Sequence, residues 1–233
     1  MSTAIVTGAS QGFGLALTST LVDVGWTVVV DARDAARLAT ATAGIGARGR
    51  VVALAGDIAD PAHQEALVDA AAREGGLDLL VHNASALGPS PLPELASYPL
   101  DELERVLRVN VVAPLALTQR ALPWLERAAA PAVVAVSSDA AVEAYAGWGG
   151  YGASKAALDH LAAVLAVERP GLRVYAYDPG DMRTAMHQRA FPGEDISDRP
   201  EPATVVPTLL RLLERSPPSG RYRASDLAEE AAA

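Results

Sequence analysis

Tyr151 and Lys155 stand four residues apart at the start of a helical stretch that runs to residue 168. One turn of helix separates them, so both side chains leave the same face. An ammonium held beside a phenol favours the phenolate and lowers its pKa toward working pH. Ser138 lies thirteen residues before Tyr151, at the end of the apolar run 132–136. A hydroxyl at the carboxyl end of a strand stands where open α/β sheets gather their active sites. Singly, the tyrosine reads as a packed residue, the lysine as solvated and the serine as part of a turn. The three together, at these spacings, suit general acid–base chemistry.

A second group suits a nucleotide. Gly8, Gly12 and Gly14 fall between a short β-rich run, 4–7, and a helical stretch, 15–24. Glycine there permits a tight turn and lets a diphosphate approach the N–H groups of a helix N-terminus. The spacing, Thr7-Gly8-x-x-x-Gly12-x-Gly14, differs from the commonest dinucleotide fingerprint. After the apolar run 26–30 comes Asp31-Ala32-Arg33-Asp34. An acidic residue at that strand end can bind the adenosine ribose and select NAD, whereas a guanidinium suits the 2′-phosphate of NADP. Asn110 is marked by Pro114, which has no N–H to give to the Asn110 carbonyl. That carbonyl leaves the helical ladder, and a kink is expected.

The elements that must position these residues follow from the apolar pattern. Strands are expected at 4–7, 26–30, 51–55, 77–82, 132–136, 172–177 and 221–224. Helices are expected at 15–24, 35–43, 61–73, 98–125 (interrupted by Pro114 and Pro123), 151–168 and 203–215. Val28-Val29-Val30 and Leu79-Leu80-Val81 lack polar alternation, as strands buried on both faces do. Strands alternating with helices make βαβ units around a parallel sheet. No linker or internal repeat divides the chain, so residues 1–233 are expected to form one doubly wound α/β domain with three layers, α/β/α. Residues 191–202 break the pattern with three prolines and five charges. With the residues before them they would form a flap at about 186–202 over a pocket. The tail 229–233 is expected to fray.

Half of the 233 residues are hydrophobic and 20% are charged, a globular composition that excludes disorder. The net charge of -9 argues against nucleic acid or an anionic membrane as main partner. No run reaches the roughly 18 apolar residues of a membrane span. Cysteine is absent, so disulfides, thiolate metal sites and a cysteine nucleophile are excluded. That absence and the lack of a basic leader fit a cytoplasmic protein. His63, His82, His160 and His187 show no metal-ligand spacing, and no metal is expected.

Further residues extend these groups in a known order. Thr7-Gly8-x-x-x-Gly12-x-Gly14, Asp57-Ile58, Asn83-Ala84, Asn110, Ser138, Tyr151-x-x-x-Lys155 and Pro179-Gly180-x-x-x-Thr184 together resemble the motifs of the classical short-chain dehydrogenase/reductase family. The resemblance covers essentially the whole chain. It implies a Rossmann-like sheet of strand order 3-2-1-4-5-6-7 and a nicotinamide cofactor. It implies Tyr151 as proton donor or acceptor to the substrate oxygen. Lys155 would bind the nicotinamide ribose and depress the Tyr151 pKa. Ser138 would hydrogen-bond the reacting carbonyl or alcohol, and Asn110 would join a water relay to Lys155. Gly8, Ser10, Gln11, Gly12, Phe13 and Gly14 would form the cofactor turn. Asp57 and Ile58 would flank the adenine, Asn83 and Ala84 would line the cofactor, and Pro179, Gly180, Met182 and Thr184 would close over its nicotinamide end. A homodimer or homotetramer through helices 103–122 and 153–168 is likewise implied.

The chain departs from the family in three places. Ser85 stands where glycine is usual, His82 where asparagine is frequent, and Gln11 where NADP-dependent members often carry a basic residue. Counting from Gly14, Ala32 falls where NAD-selective members carry aspartate, and Arg33 where NADP-dependent members carry arginine. NADP(H) is therefore favoured over NAD(H), with Asp31 as the competing ribose ligand. The expected function is hydride transfer between NADP(H) and a small carbonyl or alcohol, bound near 142–150 and 186–198 and apolar or cyclic in character. A non-catalytic NADP(H) sensor and an epimerase or dehydratase on the same fold are the alternatives.

Overall fold

The structure, a computed structural model, describes residues 2–46 and 48–232, the last four as helix backbone only. Seven strands, β1 (Thr3–Val6), β2 (Thr27–Ala32), β3 (Arg50–Ala55), β4 (Leu79–His82), β5 (Ala132–Val136), β6 (Arg173–Asp178) and β7 (Gly220–Arg223), form one sheet in the order β3-β2-β1-β4-β5-β6-β7. Every neighbouring pair is parallel. Parallel neighbours need crossovers, and helices on both faces supply them. One face is covered by α1 (Gly12–Asp23), α2 (Ala35–Thr42), α8 (Pro202–Arg215) and α9 (Ala224–Ala232). Their apolar residues pack on Ala4, Val6, Val28, Val30, Val81, Val134 and Tyr177. The other face is covered by α3 (Pro61–Arg73), α5 (Ala113–Leu125) and α6 (Gly149–Glu168), which pack on Ile5, Val29, Leu80, Val133 and Val174. Alternate residues of each strand thus serve opposite layers. Among the described residues, no helix is long and apolar enough to cross a membrane.

The sheet and its order agree with expectation, and the helix ends differ instructively. α1 starts at Gly12 rather than residue 15. Glycine is a poor helix former, but Phe13 is buried against Tyr177 with ring centroids 5.9 Å apart, and this contact holds the first turn. The stretch 98–125 is α4 (Leu100–Leu107), one π turn (Arg108–Val112) and α5. Because Pro114 donates nothing to Asn110, the ladder slips by a residue, and the Ala113 N–H reaches the Arg108 carbonyl. The expected kink is this π turn. Pro123 does not interrupt α5, since the carbonyl it leaves unpaired belongs to exposed Gln119. A short helix, α7 (Ala185–Ala190), occupies the first part of the expected flap, capped by Thr184, whose Oγ1 accepts from the His187 N–H at 3.1 Å. Instead of fraying at 229, the chain is helical through Ala232, and residue 233 lies outside the described residues.

His82 closes β4 inside the core, with Nε2 2.8 Å from Thr118 Oγ1 on α5. Burial, assisted by the Lys155 charge, lowers its pKa to about 3, so it is neutral when folded. An unfolded histidine takes a proton near pH 6.5. Between those values the unfolded state binds more protons, and stability falls as pH falls. This stability is fully present above about pH 6.5 and is lost on the way down toward pH 3. His82→Asn removes the titration and keeps a polar group facing Thr118. Urea unfolding at pH 7 and pH 4.5 is expected to show an acid loss smaller in the variant by about 2 kcal/mol. Equal losses in both proteins would refute the assignment.

Candidate active site

The turn after β1 is shaped by its neighbours across the sheet. Gly8 has φ +69°, and a Cβ there would stand 2.8 Å from the Ala84 backbone. The Thr7 hydroxyl accepts from the N–H groups of Asn83 and Ala84, both at 3.0 Å. Asn83 Nδ2 donates to the carbonyls of Thr7 and Gly8 at 2.8 and 3.1 Å. Asn83 therefore braces the turn while also bordering the cleft. Gly14 lies under the turn and does not border the cleft; a Cβ there would meet Asn83 Nδ2 at 2.4 Å. With α1 starting at Gly12, the first two N–H groups of the helix belong to Gly12 and Phe13, which do line the cleft.

The cleft, about 300 Å³, runs along the carboxyl ends of the strands on either side of β1. Arg33 borders it after β2, exposed and without an ion pair among the described residues. Asp31 is buried. Its Oδ1 accepts the Gly8 N–H at 2.7 Å, and its Oδ2 faces His63 Nε2 at 3.3 Å. It borders the cleft with both oxygens engaged and makes no bond to Arg33. Gln11 carries no charge but holds one: its Oε1 accepts from Arg37 Nη1 at 2.9 Å. Asp57, Ile58, Ala84, Pro179, Gly180, Met182 and Thr184 border the cleft. Tight backbone at Gly8, an open helix start and an available guanidinium suit a dinucleotide cofactor with phosphates at this end.

At the other end the acid–base set assembles. Ser138 follows β5, and its Oγ donates to Asp139 Oδ1 at 3.0 Å and accepts from the Ala140 N–H at 3.2 Å. Tyr151, near the start of α6, is buried against Trp148, with ring centroids 5.7 Å apart at 71°. It borders the cleft together with Ser85 and Ser138. Lys155 is buried one turn on, with Nζ donating to the Val136 carbonyl at 2.7 Å. Burial lowers its pKa to about 8, against the pull of the Asp159 carboxylate.

Two expectations need correction. Lys155 Nζ lies 5.5 Å from the centre of the Tyr151 ring, beside its face and not on its oxygen. In the protein alone burial dominates and pushes the Tyr151 pKa up; Asp178 and Asp139 add to that, and Ser85 and Ser138 oppose it. Lys155 therefore does not set the phenol by itself. Asn110 does not border the cleft. Its Oδ1 accepts from the Ala86 N–H at 2.7 Å and Ser85 Oγ at 3.3 Å, and its Nδ2 donates to the Ala86 carbonyl and Ser154 Oγ, both at 2.9 Å. Its side chain ties the segment after β4 to α6.

Sequence reading missed Arg221 on β7. Its Nη2 donates to the Ser138 carbonyl and Asp178 Oδ2, both at 2.9 Å, and its Nε donates to Asp159 Oδ2 at 3.1 Å. Asp178 Oδ1 in turn accepts the Gly180 N–H at 3.0 Å, and Asp159 Oδ2 accepts from Ser137 Oγ at 2.8 Å. One guanidinium thus links the serine turn to the Pro179-Gly180 loop. The available signal was a cation in the short edge strand of a parallel sheet, where a partly buried charge requires partners. Trp148, Phe191, Met186, Leu92 and Leu87 form an apolar wall next to Tyr151.

Residues 2–195 match the sequence profile of the family described as short chain dehydrogenase. The uncharacterized oxidoreductase YciK of Escherichia coli (strain K12) is 35% identical over 217 residues, 90% of this chain and 84% of that protein. Sepiapterin reductase of Mus musculus is 36% identical over 203 residues, 80% of this chain and 76% of that protein. A solved short chain dehydrogenase from Escherichia coli CFT073, complexed with NADPH, aligns with TM-score 0.86 and 31% identity over 96% of both chains. The likeness thus extends from the glycine turn through the strand order to the tyrosine–lysine helix, and on that ground the chain belongs to the short chain dehydrogenase family of oxidoreductases.

Proposed function

We propose that the protein interconverts a carbonyl and an alcohol with NADP(H), using Tyr151 as general acid and base. The observation that carries this reading is buried Tyr151, one turn from Lys155 and bordering the same cleft as Ser138. The nicotinamide cofactor supplies or accepts the hydride. Ser138 orients the reacting oxygen, and Tyr151 transfers the proton to or from it. Lys155, with a pKa of about 8, keeps a positive charge near neutral pH and binds the ribose. Two features support NADP(H). Both Asp31 oxygens are engaged inside the protein, and Arg33 faces the cleft from the exposed strand end.

The wall of Leu87, Trp148 and Met186, which border the cleft, favours an apolar, cyclic carbonyl substrate. The test is consumption of NADPH against a panel of cyclic, aromatic and short polar carbonyls. Stoichiometric oxidation, greatest with the apolar cyclic compounds, is expected. Product without net NADPH loss would point to epimerisation or dehydration, and binding without product to a sensor.

The protein is further proposed to be a homodimer or homotetramer. α6 exposes Ala153, Ala156, Ala163, Val164 and Val167, and α5 and the turn before it expose Val112 and Leu115. Small and branched apolar residues on paired helices allow close approach. Light scattering at micromolar concentration is expected to give two or four times 24.1 kDa, and the monomer mass would refute it.

A further inference from the structure

Arg221 takes no part in the chemistry above, yet it holds the segment that carries Ser138. β7 is an edge strand of the sheet, and Arg221 stands opposite Ala176 of β6. Its neighbour Tyr222 packs toward the layer of α8, so the Arg221 side chain leaves the opposite face, toward α6. From there it reaches past β6 to the end of β5. The ladder between β5 and β6 extends to the Ser137 N–H, which donates to the Tyr177 carbonyl at 2.7 Å. One residue on, the Ser138 carbonyl accepts the Ala141 N–H of its own turn at 3.0 Å and Arg221 Nη2 at 2.9 Å. The Ser137 hydroxyl is farther from that carbonyl, at 3.5 Å, and donates to Asp159 Oδ2 at 2.8 Å. Where the sheet stops holding the backbone, a side chain from the next strand but one takes over. The guanidinium is held in turn by Asp178 Oδ2 at 2.9 Å and Asp159 Oδ2 at 3.1 Å, on β6 and α6, and both carboxylates are largely shielded from water. A planar guanidinium bonded to three acceptors cannot turn without breaking one of those bonds.

We propose that Arg221 is a positioning residue that acts through Ser138, setting the direction from which the Ser138 hydroxyl meets the substrate oxygen. The inference rests on the reading of Ser138 as the group that orients that oxygen. A peptide unit is planar, so fixing the Ser138 carbonyl fixes the whole plane that joins Ser138 to Asp139. The Ser138 Cα lies in that plane and carries the hydroxyl. The Asp139 Cα lies at its other end and carries the carboxylate that takes the Ser138 hydrogen at 3.0 Å. Without the guanidinium bond the plane can rock about the strand end, held at its carbonyl by the bond inside the turn. The displacement falls on an oxygen that must stand within hydrogen-bond reach of the reacting atom. An error of about 1 Å in such a group can cost about 100-fold in rate.

The test is a double-mutant cycle on the single-turnover rate of the NADPH complex with the most active carbonyl compound of the panel. Arg221→Lys and Arg221→Gln are each made in wild type and in Ser138→Ala. Lysine keeps a charge between the two carboxylates but has no planar fork to reach the Ser138 carbonyl as well. It therefore cuts the tether and spares the fold, and it carries the comparison where the glutamine variant unfolds. In wild type the rate is expected to fall about 10-fold with either substitution. In Ser138→Ala no hydroxyl remains to be placed, and the same substitutions should change the rate less than about twofold. NADPH affinity by fluorescence titration should also stay within about twofold, and thermal melts check that each variant is folded. General damage to the fold would cost the same in both backgrounds. Equal losses in both, no loss in wild type, or an effect on NADPH affinity in place of the rate overturns the proposal. Ser138→Ala alone separates the two layers. If it turns over like wild type, the reading of Ser138 fails; if it is slow while the Arg221 variants cost the same in either background, only the role of Arg221 fails.

Discussion

Tyr151→Phe is expected to cut turnover at least ~100-fold while leaving cofactor binding in place. The substitution removes one oxygen from a buried ring whose edge-to-face contact with Trp148 at 5.7 Å remains. No cavity opens, so the fold should persist. What is lost is the phenol proton at the cleft, next to Ser138 in the lining. Lys155 is untouched, since its Nζ is held by the Val136 carbonyl rather than by the phenol. Steady-state turnover gives the first quantity, titration of protein fluorescence with NADPH the second, and a thermal melt confirms folding. Retained turnover would sink the mechanism. Lost binding in a folded variant would show that the tyrosine serves the cofactor instead.

Arg33→Ala is expected to weaken NADPH by about 10- to 100-fold and to leave NADH nearly unchanged. The 2′-phosphate carries close to two negative charges near neutral pH, by analogy with other phosphate monoesters. A protein of net charge -9 repels it unless a local cation intervenes. Arg33 borders the cleft just beyond β2, and Arg37 stands beside it, held by Gln11. Charge-assisted hydrogen bonds contribute about 1.5–3 kcal/mol each, and 1.4 kcal/mol is about tenfold in affinity. Because Arg33 is exposed, the preference should shrink as salt rises. Titrating both cofactors on wild type and variant at two ionic strengths decides it. A wild-type preference for NADH, or equal weakening of both cofactors, would overturn the assignment. Asp31 would then have to exchange its bonds to Gly8 and His63 for the ribose.

Much of the frame was legible because local periodicity reports it. The apolar runs marked the first six strands, and the α3 bounds agree with those read from the pattern. Four residues make one helical turn, so Tyr151 and Lys155 had to share a face of α6. A proline four residues after Asn110 had to break the ladder there, and a π turn is the result. The order of the motifs carried the family and, with it, the strand order.

What local pattern cannot carry is which distant group fills a given valence, and the site depends on that. Nothing nearby in the chain shows that Gly8 and His63 take the Asp31 oxygens from 23 and 32 residues away. Arg221 bonds Ser138 and Asp178 across 83 and 43 residues, and Ser85 reaches Asn110 across 25. The direction of the Tyr151 shift was misread for the same reason. The four-residue spacing places an ammonium near the ring, but it does not reveal that burial removes water from the phenol and that the ammonium bonds a carbonyl instead. The sequence by itself determined the strands, the helix faces and the types of chemical group at the cleft. Only the tertiary structure decided which of those groups remain free to act, because desolvation and hydrogen-bond partnership are properties of neighbours brought together by the sheet.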